Sequence, residues 1–349
     1  MLSDSGIGCY LKNILAYLIK IENLSFLLVG REEEIIEYEQ NRNCQLLAIN
    51  IPIFSIQELF HFPLKEINQC DCFYSPNFNI PLGIKIPIFC TIHDVLFLDI
   101  PITTSIKRLI YYAYLKMSIS RSDMIFTVSH FSKDRILYHF PKASNKIVVT
   151  YNGIANYVLN AKQVEPYFDF QYFLYVGNIK PHKDLRTLLE AFNLLEKSEV
   201  NKKLVIVGNM YNFKTADVHI QTLLENGVFD RNIIFTGWVS NEDLLRILKY
   251  ADLLIQPSIY EGFGIPPLES MYLGTPVILS DIQVFKEIYS EFPVVFFHCG
   301  DADDLSQKMI NSSTKRVFLS DKLKFKYGYK KSAEIVYKNI LLSLHRKVS

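Results

Sequence analysis

The sequence lacks several features that would assign it to a familiar class. Its six cysteines include no CxxC pair, so a zinc ribbon is not indicated. A chain of 349 residues needs no disulfides to hold its core, and we therefore expect reduced thiols and a cytoplasmic location. No apolar run is long enough to cross a bilayer, and no signal peptide is recognised at the start. Secretion and membrane spanning are not expected.

The chain also lacks an excess of either charge. Lys and Arg number 37 against 36 Asp and Glu, which leaves a formal charge of +1. Such a chain has no global positive field to recruit nucleic acid, so any anion site must be local. Hydrophobic residues make up 49% and charged residues 21%, the balance of a globular protein. The length suggests two domains.

Short β-rich runs alternate with helical stretches along almost the whole chain. Strands are predicted at Phe26–Val29, Gln45–Ile49, Ile88–Ile92, Met124–Val128, Lys146–Thr150, Tyr172–Val176, Lys203–Val207, Asn232–Phe235, Leu253–Gln256, Val277–Leu279 and Val294–Phe297. Helices are predicted at Cys9–Ile21, about Thr104–Ser120, Phe131–Phe140, Asp184–Leu195, about Asp217–Asn226, Asn241–Tyr250, Pro267–Tyr272, Asp303–Asn311 and about Lys331–His345.

The strands indicate an α/β fold with parallel sheets. Lys203–Val207 and Leu253–Gln256 are apolar on both faces, as a sheet covered by helices on both sides requires. The alternation and the length predict two doubly wound, Rossmann-like domains. We expect an N-terminal domain over residues 1–160 and a C-terminal domain over 161–330, with a linker in Ala155–Asp169. The last helix, within 331–349, is expected to join the first domain.

The start of the chain departs from this pattern. A doubly wound domain begins with a central strand directly before its first glycine turn, but only Met1–Ser5 precede Gly6-Ile7-Gly8. The first strand is therefore expected to be missing, which would leave its neighbours unpaired and the protein impaired.

The densest chemical signal is the run from Glu261 to Glu269, directly after a strand. Its glycines let the backbone approach a ligand, and Pro266 and Pro267 suit the first turn of a helix. A helix N-terminus is a natural seat for a diphosphate. Since like charges repel, the two glutamates are expected to accept hydrogen bonds from hydroxyls, one on a sugar and one on a ribose. The alternative is a helix-capping loop in which Glu269 only compensates the dipole.

This run resembles the Glu-x7-Glu signature of the retaining glycosyltransferases of family four. Ala251–Ser258 and Tyr272–Ile278 are similar to the same family, and the resemblance extends from Gly6 to about Leu305. It implies the GT-B fold, two doubly wound domains facing across a cleft. It also implies a nucleotide sugar bound mostly by the second domain and an acceptor on the side of the first.

The resemblance assigns roles to residues of the second domain. Glu269 is expected to orient the ribose and Glu261 the hydroxyls of the donor sugar, with help from the amides of Phe263 and Gly264. Lys183, in a turn before a helix, is expected to neutralise the diphosphate as the sugar departs. Many relatives carry an arginine where this chain has Asn178, so whether one cation suffices or Lys180 contributes stays open.

Candidate residues of the first domain follow from the same resemblance. The backbone at Gly6 and Gly8 is expected to meet the diphosphate, although the pair alone would indicate only a tight turn. His93 follows the strand Ile88–Ile92 and is expected to contact the donor sugar and align the reacting centre. Without the family context, a lone histidine is more often structural.

Other short motifs are predicted to be structural. Ser129 or Ser132 is expected to cap a helix, and Asn152–Ile154 to form a turn. Asp301-Ala-Asp303 matches the Asp-x-Asp of metal-dependent glycosyltransferases of another fold. It precedes a helix, however, so we assign Asp301 to capping and expect no essential metal.

Lys107–Lys116 is basic, aromatic and helical in period. It predicts either a core-facing helix with a basic edge or a peripheral contact with an anionic membrane surface, where a lipid-linked acceptor would lie.

The sequence thus predicts a retaining, metal-independent hexosyltransferase of cell-surface polysaccharide synthesis. It would transfer a hexose from a nucleotide diphosphate sugar to a glycan or lipid-linked acceptor. The Pro-His-Lys run at 181–183 is frequent among mannosyl-transferring relatives, which favours GDP-mannose over a UDP-sugar. Two alternatives are a nucleotide-sugar epimerase on the same fold and a catalytically decayed scaffold.

Overall fold

The computed structural model describes residues 6–52, 55–195, 202–208 and 232–348. The chain divides into two compact units: the first contains Met1–Gly153 and Tyr327–Ser349, and the second contains Ile154–Lys326. The segment predicted as a linker, Ala155–Asp169, falls in the second unit and contains a short helix. The helix predicted at about Asp217–Asn226 lies outside the described residues.

In the described residues of the first unit, six short strands alternate with helices. Its strands are β1 (Phe26–Gly30), β2 (Cys44–Ala48), β3 (Phe73–Ser75), β4 (Ile88–Thr91), β5 (Met124–Thr127) and β6 (Ile147–Val149). Its helices up to this point are α1 (Gly6–Leu18), α2 (Glu32–Ile35), α3 (Ile56–Phe60), α4 (Leu64–Ile67), α5 (Leu96–Asp99), α6 (Ser105–Arg121) and α7 (His130–His139), with 3₁₀ turns at Ile36–Tyr38 and Pro141–Lys146.

The described strands of the first unit form two parallel sheets. One contains β1 and β2, and the other has the order β3-β4-β5-β6. The strand β3 was not predicted, because its two aromatic residues, Phe73 and Tyr74, are followed at once by Ser75-Pro76 and form no longer apolar run. The buried strand β4 ends at Thr91, so that His93 follows the carboxyl edge of its sheet.

Outside the undescribed segments 196–201 and 209–231, the second unit contains the remaining six strands. They are β7 (Tyr172–Val176), β8 (Lys203–Val207), β9 (Ile233–Gly237), β10 (Leu253–Gln256), β11 (Val277–Ser280) and β12 (Val295–Phe297). The helices are α8 (Asn156–Leu159), α9 (Leu185–Leu195), α10 (Asn241–Tyr250), α11 (Ile265–Tyr272), α12 (Gln283–Tyr289), α13 (Ala302–Asn311) and α14 (Ser320–Lys326), with a 3₁₀ turn at Pro181–Lys183. The chain then returns to the first unit as α15 (Tyr329–Val348).

The second unit has one parallel sheet with the order β12-β11-β10-β7-β8-β9. Every residue of β10 and β11 is buried, which confirms the prediction from strands that are apolar on both faces. One core cluster packs Leu188 and Phe192 of α9 against Leu204 and Ile255 of the sheet. Because all six strands run the same way, the loops after β7 and β10 emerge at one edge, where open α/β sheets bind ligands.

The helix α15 packs within the first unit. Its Val336 joins Phe89 and Phe126 in a buried cluster, and the Ser332 hydroxyl donates a 2.6 Å hydrogen bond to the Thr150 carbonyl. None of the helices in the described part of the chain has the length and apolar character needed to cross a membrane.

Candidate active site

The loop after β10 is shaped by a glycine that no other residue can replace without strain. Gly264 has φ +87°, and a Cβ built there would lie 2.5 Å from Cε1 of Phe285. It forms the N-cap of α11, and Pro266 and Pro267 follow in the first turn, as predicted. The glycine and the two prolines therefore determine the direction in which the backbone enters the N-terminus of α11.

Two aromatic side chains anchor the same loop. Phe263 is buried, and the Tyr289 hydroxyl donates a hydrogen bond to the carbonyl of Gly264. The burial of Phe263 and the hydrogen bond to Gly264 both attach the backbone between Glu261 and α11 to the core of the second unit. The peptide groups of Phe263 and Gly264, predicted to assist the donor, thus belong to a segment that is attached to the core, and their role stays a prediction.

The structure brings together two residues predicted for the donor site. Lys183 Nζ lies 2.6 Å from Oε1 of Glu261, and both side chains are mostly buried. The Ser258 hydroxyl donates to the same carboxylate oxygen over 2.9 Å, and Gln256 Nε2 donates to Ser258 Oγ over 3.2 Å. A chain of hydrogen bonds from the end of β10 therefore orients Glu261, while its charge is matched by Lys183.

The turn that presents Lys183 is locally constrained. Pro181–Lys183 form a 3₁₀ turn, and Asp184 follows in the left-handed region at φ 50°. Asp184 Oδ2 then accepts a 2.6 Å hydrogen bond from the hydroxyl of Thr187 in the first turn of α9. The neighbouring His182 is buried, and burial together with Lys183 and Lys180 lowers its pKa to about 3, so that its imidazole is neutral.

Asn178 occupies the start of the loop after β7. Its backbone carbonyl accepts a 3.3 Å hydrogen bond from the Tyr175 hydroxyl, and its side chain is half-buried. Nearby, the ends of β7 and β8 approach so closely that a Cβ at Gly208 would lie 2.0 Å from the carbonyl oxygen of Gly177. The position permits Asn178 to meet a ligand at the sheet edge, which stays a prediction.

Glu269 lies inside α11 in an environment unlike that of Glu261. Its side chain is nearly inaccessible, with the residue 4% exposed, and Oε2 accepts a 2.8 Å hydrogen bond from the Tyr157 hydroxyl of α8. The backbone N–H of Ala155 donates a further hydrogen bond to the carboxylate. Burial raises the pKa of Glu269 to about 7, although both hydrogen bonds oppose the shift.

His93 is held from several sides within the first unit. Its Nε2 lies 3.0 Å from the Pro76 carbonyl, and its ring meets Tyr10 edge-on at 5.0 Å. Burial lowers the pKa of His93 to about 4, so the ring is neutral at physiological pH and Nε2–H donates to Pro76. The Ser132 hydroxyl donates 2.9 Å to the His93 carbonyl, which fixes the backbone at the end of the strand.

The glycine pair lies differently from the prediction. Gly6 and Gly8 were expected in a turn before the first helix, but they stand in the first turn of α1 as described. A Cβ at Gly6 would meet nothing within 4 Å, so packing does not require glycine there. Contact of their backbone with a diphosphate stays a prediction.

The motifs assigned to capping serve that purpose. The Ser129 side chain accepts from the backbone N–H of Ser132 over 3.0 Å at the start of α7. Asp301 caps α13 by accepting from the N–H of Asp304 over 2.9 Å. Among the residues that the structure describes, no group of three or more His, Cys, Asp or Glu side chains is arranged to hold a metal ion.

Two residues that support candidate side chains were not found from the sequence, and a third was predicted only as a helix cap. Ser258 orients Glu261, Tyr157 bonds Glu269, and Ser132 holds the backbone of His93. Serine and tyrosine are common in loops and cores alike, so their type carries little signal. Only Ser258, three residues before Glu261, offered a spacing from which a local hydrogen bond follows.

Two family models match most of the chain between them. The model described as glycosyl transferases group 1 matches residues 160–327, and the model described as Glycosyltransferase Family 4 matches residues 70–155.

Individual proteins give a consistent likeness. The chain is 29% identical over 249 residues to the O-antigen chain mannosyltransferase B of Escherichia coli, covering 69% of this chain and 64% of that protein. It is 33% identical over 199 residues to the O-antigen chain mannosyltransferase RfbU of Salmonella typhimurium, covering 57% and 53%. The chain thus spans less than two thirds of the length of these relatives.

A solved structure is similar over almost the whole chain. The crystal structure of Anabaena Alr3699/HepE in complex with UDP-glucose has a TM-score of 0.74 at 14% identity, covering 97% of each chain. At this identity the likeness shows the fold, and it agrees with the GT-B fold predicted from the sequence.

Proposed function

We propose that the chain, as a member of the family whose two models match residues 160–327 and 70–155, transfers a hexose from a nucleotide diphosphate sugar to a hydroxyl of a glycan or lipid-linked acceptor. Mannose is the favoured sugar, since both O-antigen relatives are named mannosyltransferases. GDP-mannose is the favoured donor, and a UDP-sugar is the alternative. The setting we propose is polysaccharide synthesis at the cytoplasmic face of a membrane.

In this proposal, catalysis depends on charge and position. Lys183 and the N-terminus of α11 stabilise the diphosphate as the bond to the anomeric carbon breaks. The departing phosphate takes the proton of the acceptor hydroxyl, which attacks from the same face, so the configuration is retained. Glu261 binds hydroxyls of the donor sugar, Glu269 binds the ribose, and neutral His93 contacts the sugar.

The observation that carries the proposal is the contact between Lys183 and Glu261. These residues come from loops after different strands, β7 and β10, yet their charged groups are 2.6 Å apart. A cation and a hydroxyl acceptor at one sheet edge, beside the glycine-led N-terminus of α11, are the two groups that a sugar diphosphate needs. A solvated lysine at a helix start would instead be disfavoured by the helix dipole.

The donor is tested by thermal unfolding with GDP-, UDP- and ADP-sugars. One base is expected to raise the midpoint by mass action, and Lys183→Ala is expected to abolish that response while Lys162→Ala, an exposed lysine of the same unit, retains it. An equal response in Lys183→Ala would remove Lys183 from the site.

The reaction is tested with the selected donor, a panel of glycan acceptors and NMR of the anomeric proton. Transfer with retention that survives a chelator is expected; loss with EDTA and rescue by Mn²⁺ would refute metal independence. Turnover of the donor without any acceptor would identify an epimerase instead. Tight donor binding without transfer would favour a scaffold.

A further inference from the structure

The helix α6 is apolar on two opposite faces. At 100° per residue, Leu115 and Ile119 lie on the face that packs into the core of the first unit. Ile106, Leu109 and Ile110 lie on the other side and are 73%, 68% and 52% exposed. A solvated helix face normally carries polar residues, so this stripe needs a covering surface.

The charges on the same helix have one sign. No Asp or Glu occurs between Pro101 and Arg121, although the chain as a whole is almost neutral. Lys107 and Lys116 are exposed on either side of the stripe, and the exposed Arg108 donates a hydrogen bond to the Leu98 carbonyl. The outer surface of α6 is therefore aliphatic at its centre and cationic at its margins.

We propose that the outer face of α6 docks on a membrane surface that contains anionic lipid. Ile106, Leu109 and Ile110 would enter the boundary between headgroups and acyl chains, with Lys107 and Lys116 at the level of the phosphates. Charge complementarity selects anionic lipid over a neutral or cationic surface.

The size of the stripe argues against a second copy of the chain as its occupant. Three aliphatic side chains expose apolar surface on the order of a few hundred Å². A stable dimer buries about 800 Å² on each partner, which this stripe does not supply alone. A membrane has no such minimum, because insertion of a few side chains adds to the electrostatic attraction.

This inference deepens the proposed function, because it rests on an acceptor that is presented at a lipid surface. Docking there would bring the enzyme and a lipid-linked acceptor into the same plane. The test below uses neither donor nor acceptor, so its failure would leave transfer to a glycan acceptor untouched, and a protein without transferase activity can still dock.

The experiment is flotation of the full chain with vesicles of phosphatidylcholine alone or mixed equally with phosphatidylglycerol. The wild type is expected to float with the anionic vesicles only, and less at high salt. Ile106→Ser/Leu109→Ser and Lys107→Glu/Lys116→Glu are expected to lose flotation. With about fivefold in partitioning for each lysine near the surface, the charge variant should lose about 25-fold or more.

The matched control is Lys338→Glu/Leu342→Ser, which makes the same kinds of change on the exposed side of α15. It is expected to float like the wild type, and all variants should keep the wild-type unfolding midpoint in buffer. Equal flotation of wild type and α6 variants would overturn the proposal. So would a dimer in sedimentation that dissociates in Ile106→Ser/Leu109→Ser without vesicles.

Discussion

Replacement of Glu269 by glutamine tests whether its buried carboxylate lowers the free energy of unfolding while it contributes to ligand binding. The residue is 4% exposed, and its carboxylate is bonded to the Tyr157 hydroxyl at 2.8 Å and to the N–H of Ala155. No cation is among the causes of its pKa shift, and burial raises that pKa from 4.5 to about 7. The carboxylate is therefore desolvated without a matching charge.

The sign of the pH dependence follows from this shift. Because the pKa in the folded state exceeds that in the unfolded state, the stabilisation by protonated Glu269 is complete below about pH 4.5 and is lost as the pH rises through about 7. The difference corresponds to about 3 kcal/mol of unfolding free energy at 1.36 kcal/mol per pH unit. Glutamine cannot ionise, so Glu269→Gln should remove this part of the slope.

The assay is thermal unfolding measured from pH 5 to pH 8, with the wild type, Glu269→Gln and Glu190→Gln. About 2–4 °C per kcal/mol for a domain of this size predicts that the midpoint of the wild type falls by up to about 10 °C more than that of Glu269→Gln. Glu190 lies exposed on α9, and its replacement should leave the slope unchanged. The same slope in Glu269→Gln as in the wild type would refute the reasoning.

Donor binding should move in the opposite direction. If the ionised carboxylate accepts the ribose hydroxyls, affinity for the donor rises as the pH passes through about 7, while stability falls. Glu269→Gln should then be as stable at pH 8 as at pH 6, and at pH 8 it should bind the donor more weakly than the wild type does. Such opposition is typical of groups that are retained for function rather than for folding.

Two further substitutions separate structural from ligand-binding roles. Gly264→Ala should lower the unfolding free energy by at least about 1–2 kcal/mol, because φ +87° is strained for alanine and its Cβ would meet Phe285. Gly6 lies in open space within α1, so Gly6→Ala should leave the fold as stable as before and weaken donor binding only. A stable Gly264→Ala in thermal unfolding would contradict this account. Ser258→Ala should weaken donor binding about fivefold, because it removes a hydrogen bond that positions Glu261 and such a bond contributes about 1 kcal/mol. The control is Ser306→Ala, at a buried serine of α13, and equal donor titrations for both variants would exclude the positioning role.

The fold was predictable wherever a buried element has a continuous or periodic apolar pattern in the sequence. The strands β7, β8 and β10 have the predicted bounds, because continuous apolar runs between polar loops admit few alternatives. The helix α10 also has its predicted bounds, since Ser240 is a good N-cap and accepts from the N–H of Asp243. Short elements such as β3 and α8 were missed, because they are stabilised by packing rather than by a period of their own.

The loops of the candidate site were predictable from the sequence, but the residues that hydrogen-bond to its side chains were not. Glycines, prolines and charged residues at the ends of strands mark the run Glu261–Glu269 and the turn at Lys183. The partner of Glu269, in contrast, is a tyrosine 112 positions away, and no local rule connects the two. The family resemblance supplied the role of Glu269, but the buried, hydrogen-bonded state of its carboxylate required coordinates.

The two glutamates of the motif have different partners, and we expect this difference to assign them different parts of the donor. Glu261 is held by a cation and a hydroxyl, so a diphosphate that attracts Lys183 should weaken that ion pair and free Glu261 for sugar hydroxyls. Glu269 is held by a phenol and a peptide N–H, so a ribose hydroxyl has to take part of the place of Tyr157. Salt should therefore act mainly on the diphosphate contact, whereas pH near 7 should act mainly on the ribose contact. On this hypothesis one motif contributes two separable binding free energies, although its carboxylates are only eight positions apart in the sequence.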